Sequence, residues 1–595
     1  TRRELDARAA WLCGLATLLG LAAGFAARFL TALIGLFTQL AYFHRLSWAQ
    51  ADPWTHRLGW MAVLVPVLGG LLVGLMARHG SQAIRGHGIP EAMEQVLTNR
   101  SRIAPRLMFL KPLSAAVAIG TGGPFGLEGP IIATGGAMGS VLGQLLPSTP
   151  DERKTLLGAG AAAGMAATFG SPVSAVLLAV ELLIFEYRPR SLVPVALAAS
   201  AATAVRLATA GPGAAFPMAD LSPAGPAALA LCALVGAASG LLAALLTRGL
   251  FWVEDGLFAR LPVPWVLWPA LGGLAVGLIG LVEPRTLGVG YRNITEILSG
   301  NLAGWAVVAL CAAKALSWAL ALGSGTSGGT LAPLFTVGGG FGAALGLLLA
   351  RLVPAAHLDP RMAALVGMAA LFAGASRALL TSVVFVVEAT RQPWGILPLL
   401  AGCALACLVS SRLMDTTIMT DRLVRRGTRV PEGLGTDPLE QVTVGERCSG
   451  EPATLAASMA VEAAQAWLRS GAEGAAHRAF PLLDENGRLA GLVSRSRIVE
   501  AQMVEAEDRT GLRLGDLARR TLVTIPPERT LREAAQRMAE TRADVLLVTA
   551  AEDPLRLIGV LTLRDLLQAH GEHLESAARR EAFVVLPVGW KLPGT

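Results

Sequence analysis

Charged side chains are scarce in this chain. Only 16% of its 595 residues are Asp, Glu, Lys or Arg, against 53% hydrophobic, where a soluble domain carries about 25% charged residues. With a mean hydropathy of +0.54, most of the chain belongs in lipid. Cysteine is sparse as well: Cys13, Cys232, Cys311, Cys403, Cys407 and Cys448 lie mostly inside apolar runs and form no Cys-x-x-Cys pair. That spacing argues against metal ligation and a disulfide framework and leaves small buried packing residues. Also missing are a basic helix and an aromatic-interleaved basic patch, so a net charge of +7 does not point to nucleic acid. The basic residues collect at membrane edges instead, as Arg2, Arg3 and Arg8 and then Arg422, Arg425, Arg426 and Arg429. No metal cluster and no nucleophile-and-base pair stands in the apolar body, which argues against a membrane enzyme. Intramembrane acids are equally few (Glu128, Glu181 and Glu388), whereas a path for a hard divalent cation needs several carboxylates to replace water.

What is present is glycine, 67 residues of it, and one stretch concentrates it. Gly120 to Pro130 reads Gly-Thr-Gly-Gly-Pro-Phe-Gly-Leu-Glu-Gly-Pro, placing five glycines, two prolines and the carboxylate of Glu128 inside an apolar body. Broken backbone at membrane depth is tolerated only where protein or a water-filled cavity satisfies it. An acid there is costly and defaults to a functional hypothesis. Pro130 suits the first position of a new helix. The expectation is a helix N-terminus inside the membrane with an acid at its mouth.

Apolar segments run from about 11–40 and 61–76, then 107–120, 130–146, 155–168, 172–187 and 192–210; a second set covers 223–252, 263–282, 303–322, 329–352, 361–373, 378–389 and 394–414. Several are shorter than the ~20 residues of a simple crossing and read as partial or broken helices. The first run is too long for a cleaved signal. The two halves echo each other: 205 residues separate Thr121 from Thr326, and 207 separate Glu181 from Glu388. Such duplication is a transporter device, with helix ends pointing into a site between the repeats. Basic residues at both ends place both termini in the cytoplasm. From Arg422 onward acids and bases become frequent, and two strand–turn–strand patterns (479–494 and 544–561), each flanked by amphipathic helices, predict two small α/β modules. The boundaries drawn are 1–427 for the membrane body, 428–437 for a linker, 438–505 and 512–572 for the modules, and 573–595 for a tail.

Three pentads share the form Gly-x-x-x-Pro: Gly86-His87-Gly88-Ile89-Pro90, Gly126-Leu127-Glu128-Gly129-Pro130 and Gly329-Thr330-Leu331-Ala332-Pro333. Chance alone gives about four such pairs in a chain with this much Gly and Pro, so context carries the signal: each breaks or precedes an apolar helix. Helix N-termini bind anions through free N–H groups and the dipole. Three converging ends would hold an anion weakly enough to release it, as conduction requires. In this order the pentads resemble the signature segments of the CLC family of chloride channels and proton-coupled chloride antiporters, over about residues 11–426. The paired C-terminal modules resemble CBS domains. The resemblance implies an all-α polytopic membrane protein of two inverted repeats of tilted and broken helices, followed by a cytoplasmic α/β CBS pair. It also implies a homodimer in a cell membrane (plasma or inner) with one pore for chloride or a similar anion per subunit, protons as a second substrate in the antiporters, and no required cofactor.

Residue by residue, the resemblance makes Glu128 the gating glutamate, an anion mimic released by protonation. It places His87, Gly88, Ile89, Gly129, Thr330, Leu331 and Met419 around the anion. His87 stands where the family usually has serine, Leu331 where phenylalanine is common, and Met419 near the place of an anion-coordinating tyrosine, which puts strict chloride selectivity in doubt and leaves fluoride, bicarbonate or nitrate open. The inner proton glutamate of the antiporters is replaced by Leu182, with Glu186 one turn on as a substitute, so a passive channel is favoured over proton coupling. Glu181 and Glu388 read as structural acids. In the CBS pair, Thr562 and Asp565 match a nucleotide-contacting end, for ATP, ADP or AMP, while Arg497 replaces the matching acid of the first module. A CBS-bearing divalent-cation transporter is the reading from a different class.

Overall fold

The computed structural model describes residues 2–431, 438–501, 512–519 and 522–578. These divide into two compact units at about residue 434. The positions 428–437 read as a linker lie largely outside the described residues, as do 579–595 of the tail.

The first unit is helical throughout. Its first half runs α1 (Arg2–Phe43), α2 (Leu64–His79), α3 (Ile89–Thr98), α4 (Leu107–Gly120), α5 (Glu128–Leu145), α6 (Pro150–Phe169), α7 (Pro172–Leu178, continued as a wider turn through Ile184) and α8 (Pro189–Ala210). The second half repeats the series as α9 (Pro226–Phe251), α10 (Trp268–Val282), α11 (Tyr291–Leu298), α12 (Trp305–Gly323), α13 (Leu331–Leu352), α14 (Pro360–Ser376), α15 (Leu379–Thr390) and α16 (Ile396–Leu413), and the short α17 (Asp421–Arg425) closes the unit. Among the described residues eight helices are long and apolar enough to cross a membrane, and α4, α7, α14 and α15 are shorter apolar helices. Prolines and glycines in the connections set these lengths: Pro begins α6, α7, α8, α9 and α14, where its missing N–H leaves no donor unpaired.

The two halves are inverted repeats, and their packing is reciprocal. Glu388, on α15, accepts the N–H groups of Val173 and Ser174 at the start of α7 (3.0 and 2.9 Å). Glu181, continuing α7, accepts those of Leu380 and Thr381 at the start of α15 (3.1 and 2.9 Å) and the Thr381 hydroxyl (2.6 Å). Each acid therefore fills the orphan donors of its counterpart's helix, and such an exchange is what a two-fold relation produces. Two lysines repeat the pattern. Lys111 on α4 donates to the carbonyls of Ile84 and Gly86, and Lys314 on α12 to those of Thr286 and Gly288, pinning the loop before α3 and the loop before α11. Close helix contact rests on glycine: a Cβ on Gly135 would lie 2.1 Å from the Gly160 carbonyl oxygen, and one on Gly338 2.5 Å from that of Gly367, so α5 meets α6 and α13 meets α14 backbone to backbone.

The second unit holds two three-stranded sheets, β1 (Leu455–Ala456), β2 (Ala479–Leu483) and β3 (Leu489–Ser494), then β4 (Thr524–Ile525), β5 (Val545–Thr549) and β6 (Leu557–Thr562). In each, a two-residue strand pairs parallel to the middle strand, and the middle and last strands form an antiparallel hairpin. Two-residue strands are too short to show alternation, so only the hairpins were legible. The modules also exchange segments. Val444 packs in the core of Ile525, Leu531 and Leu546, and Leu514 in that of Phe480 and Val493. The packing crosses between the modules at their starts: residues around 444 complete the second core and those around 514 the first. The last helix, Leu563–Ala578, continues past the tail boundary at 573.

Candidate functional site

Loops before α3, α5 and α13 meet at one point. Gly126 and Gly329 exchange backbone hydrogen bonds (3.2 and 3.0 Å), and Gly86 pairs with Ser327 in a parallel bridge. The backbones touch: a Cβ on Gly129 would lie 2.0 Å from the His87 carbonyl oxygen, and one on Gly88 2.4 Å from that of Gly129. All three pentads are therefore brought together, and the N-termini of α3, α5 and α13 converge.

Glu128 sits at that convergence and is fully buried. It is the first residue of α5, so this helix starts two residues earlier than Pro130, and Pro130 occupies its third position. The carboxylate reaches across to α13. Its Oε1 accepts the Ala332 N–H (2.8 Å), the Leu331 N–H also faces it, and its Oε2 accepts the Tyr291 hydroxyl (3.1 Å). A carboxylate thus occupies the free donors of a helix N-terminus, which is where an anion binds. Gly126 leaves the room: a Cβ there would lie 1.9 and 2.0 Å from the two carboxylate oxygens.

The remaining residues divide. His87 is buried, its ring faces the Ile418 carbonyl, and its Nδ1 has no partner. Met419, next to Ile418, is buried too, so the loop before α17 reaches the His87 side of the site. Thr330 stands at the N-cap position of α13 without capping it, since its buried hydroxyl has no partner. Gly88 departs from expectation: its N–H donates to the Glu91 carboxylate (2.6 Å) and is not free for an anion here. Leu182 is buried. Glu186 is tied to Lys154 (2.8 Å) and to the Ser191 hydroxyl. Burial pushes its carboxyl up, but the Lys154 charge and these hydrogen bonds outweigh it and hold it below its ordinary range, so it is held as a paired anion. In the second unit, Asp565 accepts both the N–H and the hydroxyl of Thr562 (2.7 Å each), closing the start of the last helix, and Arg497 donates to the Leu517 carbonyl (3.0 Å). Among the described residues no group of His, Cys, Asp and Glu could hold a metal ion.

Residues 69–411 match the family described as voltage gated chloride channel. The chain belongs to the CLC family. Two CBS domains match at 456–504 and 514–572. The plant chloride channel protein CLC-f of Arabidopsis thaliana is 32% identical over 387 residues, 61% of this chain and 48% of that protein, so the match spans about half of the relative's length. An H(+)/Cl(-) exchange transporter, ClcA of Vibrio vulnificus, is 30% identical over 436 residues, covering 69% of this chain and 90% of the relative. Among solved structures, a eukaryotic CLC transporter has the same fold, with a TM-score of 0.61 at 21% identity over 93% of this chain and 97% of its own. CLC proteins transport anions across membranes, and that much holds for this chain.

Tyr291 is the site residue that sequence reading passed over. Its signal was the repeat: Gly288-Val289-Gly290-Tyr291 stands 202 residues after Gly86-His87-Gly88-Ile89. Gly288 and Gly290 carry positive φ (70° and 79°), as do Gly86 and Gly88 (95° and 96°).

Proposed function

We propose that this CLC protein conducts chloride or a similar anion passively, through a site closed by the Glu128 carboxylate. The observation that carries this is the seating of Glu128 on the α13 N-terminus, with its two oxygens bonded to Ala332 and Tyr291. A charged carboxylate competes there with the anion, and protonation or displacement frees the donors. Passive conduction is favoured because Leu182 carries no proton and Glu186, the nearby acid, is locked to Lys154. Proton-coupled exchange is the second reading, supported by relatives such as the Vibrio vulnificus exchanger. Reversal potentials in a pH gradient at fixed chloride gradient decide between them: no shift with pH supports passive flow, and a shift toward the proton potential supports exchange.

His87, Leu331 and Met419 leave the choice among chloride, fluoride, bicarbonate and nitrate to that site's chemistry. We place the protein in a cell membrane with both termini cytoplasmic and take it to be a homodimer with one pathway per subunit. For the CBS pair the structural role is preferred to adenine nucleotide sensing. Thr562 and Asp565 already satisfy each other, and calorimetric titration with ATP and AMP tests it.

A further inference from the structure

Beside the site lies a cavity of about 460 Å³ lined by α1, α6, the loop before α2 and the start of α11. Its rim carries exposed Arg28 and Arg292, and Arg292 pairs with Asp52 (3.6 Å) and Glu296 (3.2 Å). Tyr291 is part of its wall. The ring is fixed edge-on by Phe169 and Phe216, each with centroids at 5.7 Å, and its hydroxyl reaches Glu128 on the far side. The same hydroxyl oxygen faces the Leu127 N–H, so one phenol ties α11 both to the carboxylate and to the backbone that carries it.

We propose that Tyr291 is a positioning residue for the gate: its hydroxyl holds the charged carboxylate of Glu128 in its seat on α13. This rests on the reading of Glu128 as the gate. A hydroxyl donor bonds the carboxylate form more strongly than the acid, so it favours the closed, charged state. The ring is rigid, so the donor stays where the carboxylate must return. Other groups acting on Glu128 are its own N–H, the Leu331 and Ala332 N–H groups of α13 and the buried Lys314 of α12. None of these changes when the phenol loses its oxygen, which makes the contribution separable. Arg28, Arg206 and Arg292 line the cavity, and none of them is among the groups that act on the Glu128 carboxyl.

The test is anion efflux from proteoliposomes as a function of pH for wild type, Tyr291→Phe, Glu128→Gln and the double variant, with chloride binding measured by calorimetry near neutral pH. Tyr291→Phe keeps the ring and its two aromatic partners. It should move the midpoint of acid activation about 1 to 2 pH units toward neutral and tighten apparent chloride binding roughly tenfold, because the competing carboxylate is held less firmly. In the Glu128→Gln background the same substitution should change neither efflux nor binding. A wild-type midpoint and wild-type chloride binding in Tyr291→Phe would overturn the proposal, as would an equal effect with and without Glu128. If Glu128→Gln itself keeps the wild-type pH profile, the gate reading fails first and takes this inference with it. If Tyr291→Phe is poorly folded by size-exclusion chromatography, incorporation of 3-fluorotyrosine serves instead: a stronger donor at Tyr291 should move the midpoint the opposite way, toward acid, and no movement would overturn the proposal.

Discussion

Gly126→Ala is the sharpest perturbation of the gate that leaves Glu128 itself in place. The three atoms nearest a Cβ at Gly126 all belong to the Glu128 carboxyl group, at 1.9, 2.0 and 2.2 Å, well inside the roughly 3.5 Å at which non-bonded carbon atoms pack. The backbone bonds between Gly126 and Gly329 do not involve the new methyl, so the side chain is the part that must move. Leaving its seat, the carboxylate gives up the Ala332 N–H and the Tyr291 hydroxyl. Hydrogen bonds to a charged group contribute about 1.5–3 kcal/mol each, so the seated position loses about 3–6 kcal/mol of its advantage. At 1.4 kcal/mol per factor of ten, occupancy of the closed state falls by about 10² to 10⁴. In proteoliposome efflux at neutral pH, Gly126→Ala should therefore pass anion as freely as wild type does in acid, with little pH dependence left. Adding Glu128→Ala to it should change nothing further. The reasoning is refuted if Gly126→Ala retains the wild-type pH profile, or if it is inactive both with and without Glu128, which would put the clash on the backbone.

Other outcomes follow from the same geometry. Glu181→Gln and Glu388→Gln each remove charge-assisted capping from the helix of the opposite repeat, and each should lower thermal stability in detergent by about 1.5–3 kcal/mol while leaving the pH profile of efflux unchanged; Glu181, with three accepted bonds against two, should be the more damaging. His87→Ser replaces a buried ring with an unpartnered Nδ1 by a hydroxyl and should change the ratio of chloride to nitrate and fluoride permeation; identical ratios would mean that the ring is turned away from the anion. For Glu186 the folded carboxyl lies below its ordinary value of 4.5, so its contribution to stability is fully present above that value and is lost as pH falls through the folded pKa. Melting curves of wild type and Glu186→Gln should accordingly differ near neutral pH and converge only as pH falls below the folded pKa, itself below 4.5; a gap that persists in strong acid would contradict the ion-pair account.

Apolar length and the Gly/Pro breaks made the helical series legible, because lipid forces each segment to satisfy its own backbone. The matching offsets of Thr121 with Thr326 and Glu181 with Glu388 exposed the duplication. What offsets could not show is that Glu181 and Glu388 cap across the repeats, since the partner of a carboxylate is set by tertiary placement. The pentads gave three helix ends and an acid, yet the start of α5 was misplaced: proline tolerates the first turn generally, and here the acid took the first position. Gly88 looked free although its competitor, Glu91, stands three residues on in the first turn of α3, where it folds back on the Gly88 N–H as a capping box does. Tyr291 lay outside every pentad, and only the spacing of a second Gly-x-Gly at the start of α11 pointed to it. In the CBS pair, exchange of the segments around Val444 and Leu514 leaves no local trace, since each reads as an ordinary short amphipathic turn wherever it packs.

The central claim is that a carboxylate, Glu128, closes the pathway by standing in for the anion. Chloride efflux from proteoliposomes carrying wild type or Glu128→Gln, measured between about pH 4 and pH 8, tests it most directly. Glutamine keeps the shape and removes the charge, so flux should be high and flat across that range, while wild-type flux rises in acid. A Glu128→Gln protein that still opens with acid, as wild type does, would contradict the account.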